Sequence, residues 1–328
     1  MSKPVAVLIS DIHYNLSTLE LADAAMRQAI AKANELRVPL IVAGDLHDTK
    51  ANMRAECINR MIETFKLCNS PPFFIVGNHD KINERSSEHS LNFLREYGAV
   101  IDKPVKLHKV GYLIPYYHDP DELRAYLKTL PKGSQLIMHQ GVQGSNSGEY
   151  IQDKSAITKD DVAGFRVISG HYHARQFIRL PEDGLWNYIG NPYTLNFGEA
   201  NDPEKGFQIL MEDGSLEFVP TNLRKHIVID ARFFNNELGF SGPRITTGDL
   251  VKVKVKVTGT KEQLSRISKK DFPFSEFKLE LIPTDAKIEV KTQTTSKPEL
   301  LDAIIDSTSI ASNTKTRLKQ TWRNLCES

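Results

Sequence analysis

Carboxylates, imidazoles and one carboxamide recur between residues 11 and 173, each behind a short apolar run. In chain order these residues are Asp11 and His13, Asp45 and Asp48, Asn78, His79 and Asp80, His139, and His171 and His173. Oxygen and imidazole ligands without clustered cysteine suit a borderline-hard divalent ion such as Mn²⁺, Fe²⁺ or Zn²⁺. The sequence therefore predicts a metal site built from these groups.

The number of candidate ligands indicates two ions rather than one. The residues that we expect to bind metal directly are Asp11, His13, Asp45, Asn78, His139, His171 and His173. This set exceeds the need of one tetrahedral or octahedral ion once water is counted, and a central carboxylate can bridge two ions. Two metals about 3.5–4 Å apart suit phosphoryl transfer, because they hold a hydroxide for in-line attack and neutralise charge on the attacked and leaving oxygens.

The apolar runs in front of these residues predict strands of an α/β fold. They are Pro4–Ser10, Pro39–Ala43, Phe73–Val76, Gln135–Met138 and Arg166–Ser169. Helices are predicted at Ser17–Arg37, where Ser17 to Glu20 form a capping box, and at Met53–Cys68, Ser87–Tyr97, Asp121–Leu130 and Ile157–Val162. Because function lies at the carboxyl ends of strands in such folds, we expect the polar residues to meet at one edge of the sheet.

A second unit begins near Arg224, after a stretch of predicted hairpins. It contains a strand at Val251–Val257 in which valine and lysine alternate, so that one face is apolar and the other basic. The further elements that we expect are a helix at Glu262–Lys270, strands at Phe277–Ile282 and Lys287–Lys291, and short helices at Glu299–Ser307 and Thr314–Cys326. This pattern predicts a small α+β module followed by a helical tail.

The charge of the chain is unevenly distributed. Its formal net charge is +1, but residues 1–220 carry −5 and residues 221–328 carry +6. Such asymmetry indicates a nucleic-acid or other anionic partner. The composition, 40% hydrophobic and 25% charged, is that of a globular protein and excludes a disordered or collagen-like class.

The motif series resembles the calcineurin-like metallophosphoesterase superfamily. The matching elements are Asp-x-His, Gly-Asp-x-x-Asp, Gly-Asn-His-Asp, a lone His, and Gly-His-x-His, all in order. The resemblance implies a four-layer α/β/β/α sandwich with a small α+β capping domain and C-terminal helices. It also implies one metal held by Asp11, His13, Asp45 and His173, and another held by Asp45, Asn78, His139 and His171.

The same resemblance assigns roles to the remaining motif residues. His79, oriented by Asp80, would protonate the leaving oxygen or stabilise the transition state. Asp48 would orient a metal ligand from behind. His47 receives no role.

A second stretch, Gly190–Gly198 with Glu199 and Glu204–Phe207 behind it, is similar to the SbcD branch of the superfamily, in the compact form that large phages carry. SbcD-type chains are nuclease subunits of double-strand-break repair complexes. The resemblance implies a Mn²⁺-dependent DNA phosphodiesterase, acting as a 3′–5′ exonuclease on duplex and an endonuclease on single strands. It also implies a homodimer and an SbcC-like coiled-coil ABC ATPase that docks on residues 297–328.

The expected domains follow from this resemblance. They are a nuclease domain at residues 1–222, a capping and DNA-binding domain at residues 223–292, and a helical partner-binding segment at residues 293–328. The DNA-contacting residues that we expect are Lys252, Lys254, Lys256, Lys269 and Lys270, which could follow a phosphate backbone. For the lysine strand, the alternative is an edge strand protected from aggregation. For the C-terminal tail, the alternative is that its helices pack against the rest of the same chain.

Two other functions stay open. One is a phosphatase or small-molecule phosphodiesterase of the same fold that does not act on DNA. The other is a scaffold without catalysis that only positions DNA. We expect a cytoplasmic protein, in the host cytoplasm if it is phage-encoded, and no membrane partner. The first apolar run is short and ends in a charge, no stretch approaches the roughly 18 apolar residues of a membrane span, and the three cysteines show no disulfide framework.

Overall fold

The computed structural model describes residues 2–50, 52–83, 85–148, 151–152, 157–234, 237–243, 251–274, 276–285 and 315–316. The chain divides into two compact units, Met1–Ile282 and Pro283–Ser328, and the architecture below is that of the first unit. The predicted strand Lys287–Lys291, the helix Glu299–Ser307 and nearly all of the docking segment 297–328 lie outside the described residues. The expected domain boundaries at residues 222 and 292 stay a prediction.

The strands alternate with helices in the first half of the chain and follow one another in the second. In chain order the first strands are β1 (Pro4–Ile9), β2 (Leu40–Ala43), β3 (Phe73–Ile75), β4 (Ala99–Ile101), β5 (Val105–Leu107), β6 (Gly111–Ile114), β7 (Gln135–Met138), β8 (Asn146–Gly148) and β9 (Ile151–Gln152). The later strands are β10 (Arg166–Ser169), β11 (Gln176–Arg179), β12 (Leu185–Tyr188), β13 (Gly206–Met211), β14 (Leu216–Pro220), β15 (Lys225–Phe234), β16 (Glu237–Ser241), β17 (Val251–Gly259) and β18 (Phe277–Pro283).

The helices are short apart from the first. The α-helices are α1 (Leu19–Leu36), α2 (Ala55–Phe65), α3 (Pro120–Leu127) and α4 (Lys261–Ser265), and 3₁₀ turns occupy Ser90–Glu96, Phe197–Glu199 and Lys269–Asp271. Among the helices of the described residues, none combines the length and the apolar character needed to cross a membrane.

Two six-stranded sheets pack face to face. The first has the order β14-β13-β1-β2-β3-β4 and the second the order β11-β12-β10-β7-β6-β5. Both are parallel at their centre, where β1, β2, β3 and β4 run together and β6, β7, β10 and β12 run together. Small and branched apolar side chains fill the space between the sheets, among them Ala6, Ile41, Ile137 and Ile168.

Helices cover the two outer faces. Met26 and Ile30 of α1 and Met61 of α2 pack against the outer face of the first sheet. Leu123 and Leu127 of α3 pack against the outer face of the second. The resulting layers confirm the predicted α/β/β/α sandwich.

The predicted meeting of five strands at the edge of one sheet is wrong. The strands β1, β2 and β3 belong to the first sheet, whereas β7 and β10 belong to the second. Buried apolar runs look alike in both sheets, so the sequence did not separate them. The polar loops therefore approach one another from two facing sheets.

Two local predictions fail because side chains satisfy the backbone. Ser17 does not cap α1, which begins at Leu19; instead the side chain of Asn15 accepts hydrogen bonds from the backbone of Ser17 (2.8 Å) and Thr18 (3.2 Å). Residues 157–162 form turns rather than a helix, and Asp161 accepts from the Thr158 backbone at 2.8 Å. Such local bonds compete with helix formation.

The lysine strand β17 lies inside a third sheet of order β16-β15-β17-β18. The alternative that it is a protected edge strand is therefore wrong. Its valines pack with Leu264 and Phe272 on one face of this sheet. Lys252 and Lys256 lie beside His226 and Asp230 of β15 in the parallel register, on the other face.

Candidate metal centre

One group of donor atoms forms where the loops after β1 and β10 meet. The Nε2 atoms of His13 and His173 lie 3.1 Å apart, and a carboxylate oxygen of Asp11 lies within 4.8 Å of one nitrogen of each ring. Two ring nitrogens and a carboxylate that point at one another suit a divalent cation. We name this the first donor set.

A second group forms where the loops after β2, β3 and β7 meet that of β10. The Nε2 atom of His139 lies 3.1 Å from Asp45 Oδ2 and 3.1 Å from Asn78 Oδ1, and His171 Nδ1 lies 3.0 Å from the same Asn78 oxygen. We name this the second donor set. Asp11 also lies within 4.8 Å of Asp45 and His139, so the two sets adjoin.

Hydrogen bonds on the far side of two imidazoles determine which nitrogen faces the site. His173 Nδ1 donates to Glu199 Oε1 at 2.7 Å, and His139 Nδ1 donates to the carbonyl oxygen of Ala43 at 2.8 Å. In each neutral ring the Nε2 atom then carries the lone pair that a metal requires. The donor sets therefore fit divalent cations.

Hydrogen bonds hold the carboxylates of the site in place. Asp11 accepts from Ser10 Oγ at 2.5 Å and from the backbone of His171 at 3.1 Å. Asp45 accepts from the backbone of His79 at 2.8 Å. Each aspartate thus also ties one ligand loop to another.

Without metal, the second donor set holds a shared proton. Burial alone would favour neutral groups, but the positive charge of His139 keeps the pKa of Asp45 far below its usual range. In return, Asp45 overcomes the burial of His139 and raises the pKa of that imidazole to about 9. Burial and the His139 charge lower the pKa of His171 to about 4. A metal that binds here must displace the proton of His139.

Four of the predicted ligands adopt a left-handed backbone. The φ angles are 53° at Asp11, 50° at His13, 49° at Asp45 and 88° at His171. This region is costly for residues other than glycine, although Asp and His adopt it more readily than most, and such strain clusters at active sites. The fold stabilises a strained backbone at the points where the side chains must turn inward.

Two glycines bring the ligand loops together. Gly44 has a φ of 89°, and a Cβ atom there would overlap the His139 ring. At Gly77 the reason is space rather than a positive φ, because a Cβ atom would overlap the carboxylate of Asp45. These contacts explain why glycine precedes both ligand residues.

His79 lies at the rim of the first donor set. Its ring is 5.0 Å from that of His13, and its Nδ1 donates to the carbonyl oxygen of Asp48 at 2.7 Å. The carboxylate of Asp48 lies 3.4 Å from His13 Nδ1 and accepts from Asn15 at 3.0 Å. Asp48 thus contacts both imidazoles, as a residue that orients them would.

Asp80 does not have the expected contact with the His79 ring. Its two oxygens accept from the backbone of His47 at 3.0 Å and of Gly77 at 2.8 Å. Burial, followed by the Asp45 charge, raises the pKa of Asp80 to about 7. The residue therefore joins the loops after β2 and β3, and the ring of His79 is oriented by Asp48 instead.

Glu199 and Lys205 belong to the surroundings of the site, although the sequence assigned them no role. Besides His173, Glu199 accepts from Asn191 at 3.0 Å, and burial is outweighed by the His173 bond, which lowers the pKa of Glu199 to about 2. Lys205 is buried and donates to the carbonyl oxygen of His173 at 2.9 Å. The only signal was their place in the stretch that resembles SbcD.

His47 is likewise buried, with Nδ1 3.3 Å from the Thr49 carbonyl oxygen.

The predicted DNA-contacting lysines lie on two sides of the third sheet. Lys252 is exposed, whereas Lys254 is half-buried, pairs with Glu280 at 3.2 Å and lies 5.1 Å from the Phe197 ring centre. Lys269 and Lys270 belong to the layer that covers the apolar face, where Lys269 lies over Phe277. The two groups therefore do not form one continuous basic stripe.

Comparison with known proteins agrees with this site. The family described as calcineurin-like phosphoesterase matches residues 5–175, just over half of the chain. A putative phosphoesterase 244L of Invertebrate iridescent virus 6 is 25% identical over 231 residues, covering 62% of this chain and 79% of that protein. Exonuclease subunit 1 of Enterobacteria phage T4 is 26% identical over 197 residues, covering 56% of each chain.

Among solved structures, a dimetal phosphatase from Danio rerio aligns with a TM-score of 0.40 at 11% identity, covering 64% of this chain and 93% of that one. The family match spans the loops that carry both donor sets. The chain therefore belongs to the calcineurin-like phosphoesterase family and is a metal-dependent phosphoester hydrolase.

Proposed function

We propose that this chain is a two-metal DNA phosphodiesterase that uses Mn²⁺, acting as a 3′–5′ exonuclease on duplex ends and as an endonuclease on single strands. The observation that carries the proposal is the pair of adjoining donor sets around Asp11 and Asp45. Two adjacent divalent ions suit the in-line displacement of a phosphodiester. The similarity to exonuclease subunit 1 of phage T4 supports a nucleic-acid substrate.

The choice of Mn²⁺ among the borderline-hard ions rests on the resemblance to the SbcD branch, and the ligand types are compatible with it. The first donor set offers two imidazoles and a carboxylate, and the second adds a carboxamide oxygen. Such mixed oxygen and nitrogen ligands, without thiolate, suit Mn²⁺ better than a soft ion. Ions bound there would polarise the phosphoryl group and offset its negative charge.

The chain's own residues would carry the proton. Because Nδ1 of His79 donates to the Asp48 carbonyl oxygen, its Nε2 atom is the one that can hold a proton at the rim of the site. We assign to this atom the protonation of the leaving oxygen. Asp48 keeps the ring in place, and through its carboxylate it also holds His13.

We further propose that the chain is the nuclease subunit of an SbcCD-like complex. Support comes from the Gly190–Gly198 stretch and from the apolar spacing within residues 297–328, which suits a helix that docks in a groove of a coiled-coil ABC ATPase. A homodimer is part of the same proposal. The chain spans 56% of the length of exonuclease subunit 1, so these partners are proposed rather than transferred.

The test is a nuclease assay on end-labelled linear duplex with Mn²⁺, with and without the ATPase. His79→Gln should lower kcat by at least about 100-fold while the metal bound at the two donor sets stays unchanged, because His79 belongs to neither set. His79 does lie with His13 and Asp48 in a third group of possible ligands, so the metal content of the variant is measured beside its rate. Asp45→Asn should lose both metal and cleavage. His108→Gln, at an exposed histidine, is the matched control.

Three results would contradict parts of the proposal. Full cleavage by His79→Gln would refute the proton-transfer role. Turnover of a cyclic nucleotide or phosphopeptide without any cleavage of DNA would favour the phosphatase or small-molecule phosphodiesterase. A well-folded wild-type preparation that binds DNA but neither retains nor takes up divalent metal would favour the scaffold.

A further inference from the structure

A cavity of about 480 Å³ lies beside the second donor set. Val76, which directly precedes the Gly77–Asn78 loop, forms part of its wall, and Tyr116 forms another part. The Tyr116 backbone donates to the Val76 carbonyl oxygen at 2.8 Å, and its ring stacks at 6.1 Å on the ring of His171. The cavity therefore shares residues with the loops that hold the site, and its size is that of a ligand pocket.

Lys81 is the cation on this wall that adjoins a ligand loop in the chain. It directly follows the Gly-Asn-His-Asp loop, and its ammonium lies 5.5 Å from the centre of the Tyr116 ring. Its backbone is paired with that of His89, and the neighbouring Asp80 carbonyl oxygen accepts from Ser90 at 2.8 Å. Lys81 thus extends from a fixed backbone into the cavity.

Lys81 is half-buried, and in the described part of the chain no carboxylate lies within ion-pair distance of its ammonium. Arg85 and Lys103 line the same cavity. A partly desolvated cation gains most from an anion that enters beside it, and a phosphate oxygen is such an anion.

The acidic residues of the wall are largely engaged elsewhere. Asp102 accepts from Arg95 at 2.6 Å, and Asp119 caps α3 by accepting from the Asp121 backbone at 2.8 Å. Glu122 is the acidic group whose charge acts on Lys81. One side of the cavity next to the site therefore remains positively charged.

We propose that this cavity binds the phosphate adjacent to the scissile one, through Lys81, and so selects a polynucleotide strand over an isolated phosphoester. The inference rests on the proposed DNA phosphodiesterase function and names the part of the strand that the site holds. A substrate with a single phosphate places that phosphate at the metal centre and makes no contact with Lys81.

The experiment compares substrates that differ by one phosphate. Thymidylyl-thymidine has one diester, and its 5′-phosphorylated and 3′-phosphorylated forms add a phosphate on one side or the other. Bis(p-nitrophenyl) phosphate is a diester with no neighbouring phosphate. Initial rates with Mn²⁺ give kcat/KM for each substrate with wild type, Lys81→Met and Lys81→Arg.

We expect one of the two phosphorylated dinucleotides to be cleaved about tenfold more efficiently than the unphosphorylated one, as one charged contact provides. Lys81→Met should remove this advantage and leave the turnover of bis(p-nitrophenyl) phosphate unchanged, and Lys81→Arg should keep part of it. Turnover of the small diester also shows that each variant is folded. If Lys81→Met is not folded, Arg85→Gln, at another cation that lines the cavity, provides the same test.

The matched control is Lys106→Met, because Lys106 is exposed and also lies over a tyrosine ring, that of Tyr112, away from the cavity. It should keep all four rates. The inference is overturned if Lys81→Met keeps the advantage, or if neither added phosphate raises the wild-type rate. If wild type hydrolyses bis(p-nitrophenyl) phosphate but no dinucleotide and no oligonucleotide, the DNA function itself fails, and the inference fails with it.

Discussion

The carboxylate of Glu199 accepts a hydrogen bond of 2.7 Å from Nδ1 of His173, and this bond directs the other ring nitrogen of His173 to within 3.1 Å of His13 Nε2. Glu199 itself is held by the side chain of Asn191 and by the backbone of Leu195 at 2.9 Å. A carboxylate that holds a ligand imidazole determines its tautomer and its orientation. Glu199 is therefore positioned to act on the first donor set without belonging to it.

Glu199→Gln should weaken metal binding at the first donor set by roughly 10- to 100-fold, because the amide orients the ring less strongly and no longer increases its basicity. Titration calorimetry with Mn²⁺ on metal-free protein measures the change. Two binding steps of unequal affinity are expected in the variant.

Glu204→Gln is the matched control, since Glu204 is the same residue type, is exposed and lies next to Lys205. It should bind metal as wild type does. Nitrogen NMR of His173 in the metal-free state gives a second readout, the Nδ1–H tautomer, which should become mixed in Glu199→Gln. An unchanged tautomer together with unchanged Mn²⁺ affinity would exclude the positioning role.

Lys205→Met should destabilise the metal-free protein by about 3–5 kcal/mol. The buried Lys205 ammonium donates to Asn191 Oδ1 at 2.5 Å and to Asp202 at 2.6 Å, and it lies 3.6 Å from Glu199. Removing it leaves the buried Glu199 and the half-buried Asp202 without this cation. Urea unfolding in EDTA measures the difference in the free energy of unfolding.

The control for this loss is Lys32→Met, which removes an ion pair of 2.7 Å to the exposed Glu35. A pair of this kind is worth at most about 1 kcal/mol. Equal effects of the two variants would show that Lys205 contributes no more than a surface cation.

The strands that precede the ligands could be predicted because each is a short apolar run that ends at a glycine, an aspartate or a histidine. Pro4–Ser10 and Arg166–Ser169 were predicted to within a residue. Their allocation to two sheets could not be predicted, since strand pairing depends on contacts between distant residues that periodicity does not record.

The environment of the site shows the same limit. The residues that the structure brings together in the two donor sets are ones that the motif order had singled out, because metal ligands must be of a few types. Their role as metal ligands stays a prediction. Glu204 is exposed and Lys205 is buried, although the two are adjacent charged residues. The sequence alone could not predict this difference in burial. It arises from β13, which begins at Gly206 and places Lys205 against the loop of His173.

Stability of the metal-free protein should fall on mild acidification, partly through His226. This residue is buried, with Nδ1 2.9 Å from Thr194 Oγ1. Burial, followed by the charges of Lys252 and Arg224, lowers the pKa of His226 below its ordinary 6.5. Above pH 6.5 both the folded and unfolded forms are neutral, so the contribution is complete.

As the pH falls below 6.5, His226 becomes protonated in the unfolded chain while it stays neutral in the folded protein. The free energy of unfolding therefore decreases until the pH reaches the lower pKa that His226 has in the folded protein. Melting temperatures in EDTA between about pH 7.5 and about pH 5.5 should therefore fall less steeply in His226→Gln than in wild type. His108→Gln, at an exposed position, should follow wild type. Parallel curves for all three proteins would contradict the assignment.

The lysines of β17 should contribute unequally to DNA binding, because their partners differ. Lys254 already pairs with Glu280 at 3.2 Å, and Lys256 lies beside Asp230 in the sheet, whereas Lys252 is exposed beside His226. A lysine without a carboxylate partner displaces more counterions when it contacts a phosphate.

Lys252→Gln should therefore reduce the slope of log K against log salt concentration by about 0.9 on duplex DNA, and Lys254→Gln by clearly less. Fluorescence anisotropy with Ca²⁺ in place of Mn²⁺ measures binding without cleavage. Lys270→Gln, on the opposite side of the third sheet, separates one contact face from a general charge effect. Equal changes for Lys252→Gln and Lys270→Gln would mean that the net charge of the module, not the face of β17, attracts the DNA.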